Sequence, residues 1–419
     1  MELISQTTLK FRPIGLGLIA IFPAFGFIFE HTSSGLWYIF CLIGLAALCL
    51  RYRHSLPLID DIPIRAGMLV LLLYVLLSAA NFWLIDNSDM AGSRLERHLL
   101  LLITPFFLFY LFILRPSPTF IFRSFAFGAI SMGLYSIWYR LGGQGVRVEG
   151  VTHAIHFANA SVLLTALSPL PLVYEKRTTP WLWAWCLSGL FLGCLAVLWS
   201  LSRGAWIAAF AMLVMTALML AIRHINNRMA IASVISALAL IFAVLWQIDS
   251  VENRVRATIE DIEKQQNGDM YTSIGIRFML WDNAWQTFES SPLFGAGFSG
   301  HGERLKESIE EGELKPSMHR FTTEPHNQYL FELAAKGVFG LGSFLLLLAF
   351  PLAINFRQLT RGDHRALAIG MVGLTVFIVY AVAGMTITLF DQRRMIHLFG
   401  FMYAIILYLH LSNDPKWAP

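Results

Sequence analysis

The chain has 419 residues, of which 56% are hydrophobic and only 14% charged, with a formal net charge of +4. Charge this sparse, with a mean hydropathy of +0.61, excludes an ordinary soluble domain and gives no support to nucleic-acid binding. The four cysteines, Cys41, Cys49, Cys186 and Cys194, all lie in apolar runs, which argues against a disulfide framework or a zinc site and reads them as small packed core residues.

Lys10 and Arg12 precede the first apolar run and no small-residue cleavage site follows, so the first span is expected to be retained. A span needs about 20 mostly apolar residues. Twelve candidates follow in order, at 13–30, 34–50, 64–85, 97–114, 119–140, 156–174, 180–199, 205–222, 229–248, 336–355, 366–388 and 395–411. Each is expected to be helical, because lipid leaves backbone polar groups no partner outside their own segment. With the N-terminus inside, fifteen lysines and arginines fall on short inner loops, among them Arg51, Arg115, Lys176 and Arg228. Seven fall outside: Arg94, Arg97, Arg140, Arg147, Arg203, Arg393 and Arg394. That bias predicts cytoplasmic termini, an even number of spans and an external, periplasmic loop after the ninth span. The expected organisation is residues 1–248 as spans one to nine, 249–335 as a loop domain, and 336–419 as spans ten to twelve with a cytoplasmic end.

The loop has helical patterning of its own. Val251, Val255, Ile259 and Ile262 recur beside Glu252, Arg256, Glu260 and Glu263, which predicts an amphipathic helix. A second helix is predicted over 276–289, with Trp281, Trp285 and Phe288 on an apolar side suited to the membrane–water interface. Residues 295–300, Gly-Ala-Gly-Phe-Ser-Gly, fit a dinucleotide-binding glycine pattern. No βαβ unit surrounds them, so a flexible turn before the acidic 303–313 segment is the better reading. Asn159-Ala160-Ser161 spells a glycosylation acceptor inside a predicted span and is read as chance. The next helix is predicted to start near Pro325, with Thr323 as its cap, and to run on into the tenth span.

His326 is the leading candidate for acid–base chemistry. Near a helix N-terminus a protonated imidazole is disfavoured, so the ring can stay neutral and act as a base; the plainer reading is a capping or surface histidine. Arg277, Arg203 and Arg147 each have a bland reading too: an interface arginine, a snorkelling side chain, and a partner of Glu149 or a phospholipid. Together they place three guanidinium groups at one membrane face, suited to bidentate phosphate binding. A lipid-borne diphosphate would meet them at that depth. Asp249, Asp261, Asp269 and Asp282 are scattered, so no metal cage and no cofactor is expected, and arginines would stabilise the leaving group. Glu324 is the next residue to consider as base. A transporter or flippase, the reading from another class, would place its ionisable groups in mid-span on a pathway; here most sit at span ends or in the loop.

These segments resemble the O-antigen ligase family, within the group that includes O-antigen polymerases and protein O-oligosaccharyltransferases. One point of similarity is His326-Asn327-Gln328-Tyr329-Leu330 through Glu332 to Gly337 and Gly340. Another is Arg277 with Trp281, followed by residues 291–297, Ser-Pro-Leu-Phe-Gly-Ala-Gly. A third is 202–206, Ser-Arg-Gly-Ala-Trp. The family's arginine motif has leucine four residues after the arginine, where this chain has Trp281, with Leu280 one earlier. The resemblance implies an all-α polytopic membrane protein of about twelve spans, GT-C-like, with a large helical periplasmic loop. It implies an inverting, metal-independent glycosyltransferase of the bacterial inner membrane. Its donor would be a glycan on undecaprenyl diphosphate and its acceptor lipid A–core oligosaccharide. His326 would be the general base and Arg277, Arg203 and Arg147 the diphosphate ligands, supported by Glu324, Asn327, Tyr329 and Gly337. Polymerase and protein-glycosylating activities share the donor and stay open. The end of the chain at Pro419, with no appended domain, favours the ligase.

Overall fold

The computed structural model describes residues 2–59, 61–223, 249–360 and 363–412, and among them it is all helical, with no strand. The predicted ninth span, 229–248, lies outside the described residues. Among the described residues, eight helical segments are long and apolar enough to cross a membrane: Ile62–Leu84, Asp89–Leu114, Pro118–Leu141, Ala154–Tyr174, Pro180–Trp199, Gln328–Thr360, His364–Gly384 and Arg393–Ser412. Three shorter apolar stretches, Arg12–Phe25, Thr32–Ala46 and Arg203–Thr216, accompany them.

In chain order the helices are α1 (Glu2–Phe25), α2 (Thr32–Ile59), α3 (Ile62–Leu84), α4 (Asp89–Leu99), α5 (Thr104–Leu114), α6 (Pro118–Leu141), α7 (Ala154–Leu167), α8 (Leu170–Tyr174), α9 (Pro180–Trp199) and α10 (Arg203–Arg223). The extramembrane helices are α11 (Asp249–Gln266), α12 (Ser273–Ser290) and α13 (Gly300–Glu310), and α14 (Gln328–Thr360), α15 (His364–Gly384) and α16 (Arg393–Ser412) complete the chain. Caps are local and chemical: Asp61, Ser88, Ser117 and Thr179 each accept a backbone N–H of their helix's first turn, satisfying donors no intrahelical carbonyl can reach. The most enclosed spans are α15 and α16, with 83% and 89% of their apolar windows buried against 33% for α9. A centre–rim order follows, with α15 and α16 inside and α9 on the rim. Phe22, Trp37, Phe40, Phe107 and Phe401 form one aromatic nucleus of that core.

Two spans are broken where sequence reading saw continuous runs. A tight turn at Leu100–Ile103 separates α4 from α5, and Ser168 and Pro169 separate α7 from α8, whose first turn holds Pro171. Proline removes an amide donor and clashes with the preceding turn. Two of the four cysteines depart from expectation: Cys41 and Cys186 are buried, but Cys49 is exposed and Cys194 only partly covered.

The extramembrane helices build a small core of Leu280, Leu305, Ile309 and Met318. Helix α12 buries Leu280, Asn283, Ala284 and Thr287, which leaves Trp285 on the opposite, outward side. On α11, Ile259 and Ile262 stay exposed. The 295–300 segment is not a flexible turn. Ala296 and Gly297 donate to the Ala334 and Ala335 carbonyls at 2.8 and 3.1 Å, and Ser299 donates from its N–H and hydroxyl to Asp86 at 2.6 and 2.8 Å. Burial raises the Asp86 carboxyl, but these bonds and those of Ser88 outweigh it and hold it below the usual range.

Those carbonyls are available because α14 breaks at Gly337 (φ 65°, ψ −159°). A side chain there would put Cβ 2.3 Å from the Leu293 oxygen, so the position needs glycine twice, for its backbone angle and for the close approach. Val338 N–H then bonds the Pro292 carbonyl at 2.9 Å, and Asn81 on α3 donates to the Ala335 carbonyl at 2.7 Å. The two loop segments singled out in the sequence thus lock onto each other.

Candidate active site

Arg147, Arg203 and Arg277, which are far apart in the sequence, line one solvent-open cleft with Ile155, Ser202, Gly204, Ser273 and Thr386. Each has its own local scaffold. The loop carrying Arg147 is stitched to the α9–α10 turn: Val148 N–H bonds the Trp199 carbonyl at 3.0 Å, and Arg147 Nε bonds the Ser200 carbonyl at 3.0 Å. Arg203 opens α10 just after Leu201, which is left-handed at φ 50°. Next to it, Gly204 lets Thr386 approach, since a Cβ there would sit 2.4 Å from the Thr386 hydroxyl. Arg203 reaches α11, with Nη1 donating to Thr258 Oγ1 at 2.8 Å and Nη2 lying 3.5 Å from Asp261 Oδ2. Arg277 lies one turn into α12, whose start is capped by Thr272.

The field in the cleft favours an anion. Burial lowers the Arg147 guanidinium, the neighbouring Arg203 lowers it further, and Glu149 offsets them in part. A half-buried cation so depressed is relieved when negative charge binds beside it.

His326 lies outside the cleft lining but close by. Its Nδ1 is 3.2 Å from Glu324 Oε1, off the line of a fully formed hydrogen bond. The ring meets the edge of Phe321 with centroids 5.8 Å apart. Burial pushes the Glu324 carboxyl up, but the His326 contact, helped by the Thr388 hydroxyl and the field of His156, holds it below the usual carboxylate range. Thr388 is two residues from Thr386 in the cleft wall, so one short segment adjoins both the arginines and the Glu324–His326 pair. His153 belongs to the same neighbourhood. Burial lowers its imidazole, Arg147 and His326 lower it too, and Glu149 and Glu324 oppose them.

The sequence reading of the helix start is corrected here. Helix α14 begins at Gln328, and its cap is Asn327, whose Oδ1 accepts from Tyr329 and Leu330 N–H at 3.0 and 3.2 Å. Thr323 does not cap it. Pro325 precedes a left-handed His326 at φ 53°, so the histidine stands just ahead of the first turn and not within it. Tyr329 turns toward the spans, its hydroxyl donating to the Ala381 carbonyl at 2.8 Å.

A polar layer beneath the site escaped the sequence reading. Glu332 is fully buried, accepting from Tyr74 and Gln328 at 2.8 Å each, and Lys336 lies 2.7 Å from its other oxygen and 3.1 Å from Ser78. His98 joins through Ser78 at 3.0 Å. Arg94, counted from sequence as an outer-loop charge, is 3% exposed inside α4. It bonds the Phe298 and Thr323 carbonyls and Asp391 at 3.2 Å, tying the loop to the spans. The available signal was the i,i+4 spacing of Glu332 and Lys336 on an apolar helix.

The fold and site define an all-helical, multi-span membrane protein with extramembrane helices over an arginine-lined cleft. Comparison with known proteins sharpens this. The family model described as O-antigen ligase matches residues 188–345, a stretch holding Arg203, Arg277 and His326 but not Arg147. An O-antigen ligase of Escherichia coli K12 is 21% identical over 362 residues, 83% of each chain. An uncharacterized protein of Haemophilus influenzae Rd is 25% identical over 177 residues, 41% of this chain and 43% of that one. Over residues 188–345 the chain is similar to the O-antigen ligase family, and its long apolar helices are those of a multi-pass membrane protein.

Proposed function

We propose that this protein is an O-antigen ligase. It would move a glycan from undecaprenyl diphosphate to lipid A–core oligosaccharide at the periplasmic face of the inner membrane, with inversion and without a metal or other cofactor. The observation that carries the reading is the convergence of Arg147, Arg203 and Arg277 on one cleft beside the Glu324–His326 pair. Twelve spans are proposed: the eight long segments, the three shorter stretches and 229–248. The domain division proposed is 1–248, 249–335 and 336–419.

In this mechanism the diphosphate sits in the cleft. The Glu324 carboxylate, facing His326 Nδ1, favours the tautomer with the proton on Nδ1 and leaves Nε2 as base. An acceptor-sugar hydroxyl attacks the anomeric carbon from the side opposite the diphosphate and passes its proton to Nε2. The anomeric C–O bond to the diphosphate breaks, and undecaprenyl diphosphate leaves with its new charge on the arginines. Asn327 and Gly337 hold His326 in register from below, and Tyr329 anchors α14 to α15.

The E. coli relative's name favours ligation over polymerisation or protein glycosylation with the same donor. Purified protein with lipid-linked glycan and lipid A–core in detergent, without an ion gradient, should give the joined product. Extension of the donor alone would make it a polymerase, and no transfer to any acceptor would overturn the reading.

A further inference from the structure

Helix α12 carries more than Arg277. Trp281 lies one turn further along the same side, Phe288 lies three turns on, and Phe278 and Trp285 flank them. The strip leads away from the cleft for about 16 Å at 1.5 Å per residue. Phe278 and Trp285 are 45% and 46% exposed, and Trp281 and Phe288 are half-buried. Phe278 packs edge-on to Trp281, and Trp285 packs against Phe288. The buried face of the helix is Leu280, Asn283, Ala284 and Thr287, so these rings are not its means of docking to the rest of the loop.

We infer that this strip is a binding surface for the glycan attached to the diphosphate, an inference that rests on the proposed function. Two observations favour a sugar chain over lipid headgroups. The first is charge: from Ser273 to Ser290 the only basic residue is Arg277, and the polar residues among the rings include Asp282 and Glu289. A helix lying on anionic lipid has a polar face rich in lysine and arginine. The second is chemistry. Hydrogen-bonding groups stand beside the rings, with Trp285 Nε1 donating to Glu289 at 2.8 Å and Gln286 to Asp282 at 2.7 Å. A pyranose offers an apolar C–H face and a hydroxyl edge, and flat rings next to carboxylates and amides match both. Continuity with the arginine cleft fixes the direction: diphosphate at Arg277, sugars outward along Trp281, Trp285 and Phe288.

The test compares two donors, undecaprenyl diphosphate carrying one sugar and the same lipid carrying several repeat units. The wild type should show a KM for the long donor about three- to tenfold below that for the short one, the range an aromatic contact supplies. In Trp285→Ala and Phe278→Ala that ratio should collapse towards one, and Trp285→Phe should restore it in part. A ratio unchanged in both alanine variants would overturn the inference. So would quenching of Trp285 fluorescence by brominated lipid in vesicles of anionic phospholipid, undiminished by long donor, which would make the strip a membrane anchor. Failure of the wild type to transfer either donor would count against the proposed function itself.

Discussion

Arginine and lysine differ in a way that makes Arg277 a sharp probe. A guanidinium presents a planar fork to a phosphate, and an ammonium presents a point charge. Arg277→Ala and Arg203→Ala are expected to impair transfer severely and Arg147→Ala to reduce it. Arg277→Lys should recover little, and wild-type turnover in that variant at saturating donor would rule out a bidentate role. Glu324 calls for a different experiment. If it acts only through His326, Glu324→Ala should cost about tenfold or more in kcat, within the general-base range. The Glu324→Ala/His326→Ala pair should be no slower than His326→Ala alone; additive losses would give Glu324 a separate task. The arginines and His326 were legible from sequence because charge in a hydrophobic chain stands out. Glu332, Lys336 and Arg94 were not: Glu332 and Lys336 pair with each other, but the groups that solvate that pair, Tyr74 and Ser78, and the Asp391 that pairs with Arg94 come from remote segments. Sequence spacing does not show which remote groups will solvate a buried charge.

The break in α14 is where the chain's helix pattern and its structure part. Hydropathy runs smoothly through Gly337, and only the positive φ and the docking of Pro292 and Leu293 reveal why helix stops and restarts there. Gly337→Ala is expected to lower the melting temperature and activity together. Gly342→Ala, with nothing within 4 Å of its Cβ, should be neutral or slightly stabilising; equal behaviour of the two in a thermal melt would show that the break is not under steric control. The loop helices carry their own pH dependence through His301. It is buried, with Nδ1 accepting from Asn283 at 2.8 Å. Burial chiefly, with Arg94 and His326 adding to it and Glu324 opposing, pushes its imidazole down to about 3. The unfolded histidine titrates near 6.5 and binds the proton first, so folding stability is fully present above about 6.5 and falls as pH drops, by roughly 1.4 kcal/mol per unit. Amide protection in α13, after correction for the intrinsic exchange rate, should therefore fall between pH 7 and 5, and His301→Gln should flatten that response. The tryptophan side of α12 was read from sequence as an outward, interfacial face, whereas the packing face, which includes the small residues Ala284 and Thr287, gave no hydropathy signal of its own.

Across the whole molecule, the uneven distribution of basic residues predicts cytoplasmic termini and an external loop. Cysteines placed at the exposed positions Gln266 and Glu311, with Cys49 replaced, should react with an impermeant reagent added outside; reaction only from the cytoplasmic side would invert the topology. Transfer should also persist in EDTA, and activity lost to the chelator and restored by magnesium or manganese would contradict leaving-group stabilisation by arginine. The general layout was readable because bilayer thickness sets span length, whereas the meeting of three distant arginines at one cleft depends on helix packing that no local pattern encodes. The central claim divides labour between the arginines, which hold the diphosphate, and His326, which takes the proton. Single-turnover transfer measured against donor concentration separates the two. His326→Ala should saturate at the wild-type donor concentration with a plateau rate at least about a hundredfold lower, while Arg277→Ala should need far more donor to reach its plateau. A near-normal plateau in His326→Ala, or loss of donor saturation in that variant with the fold intact, would contradict the account.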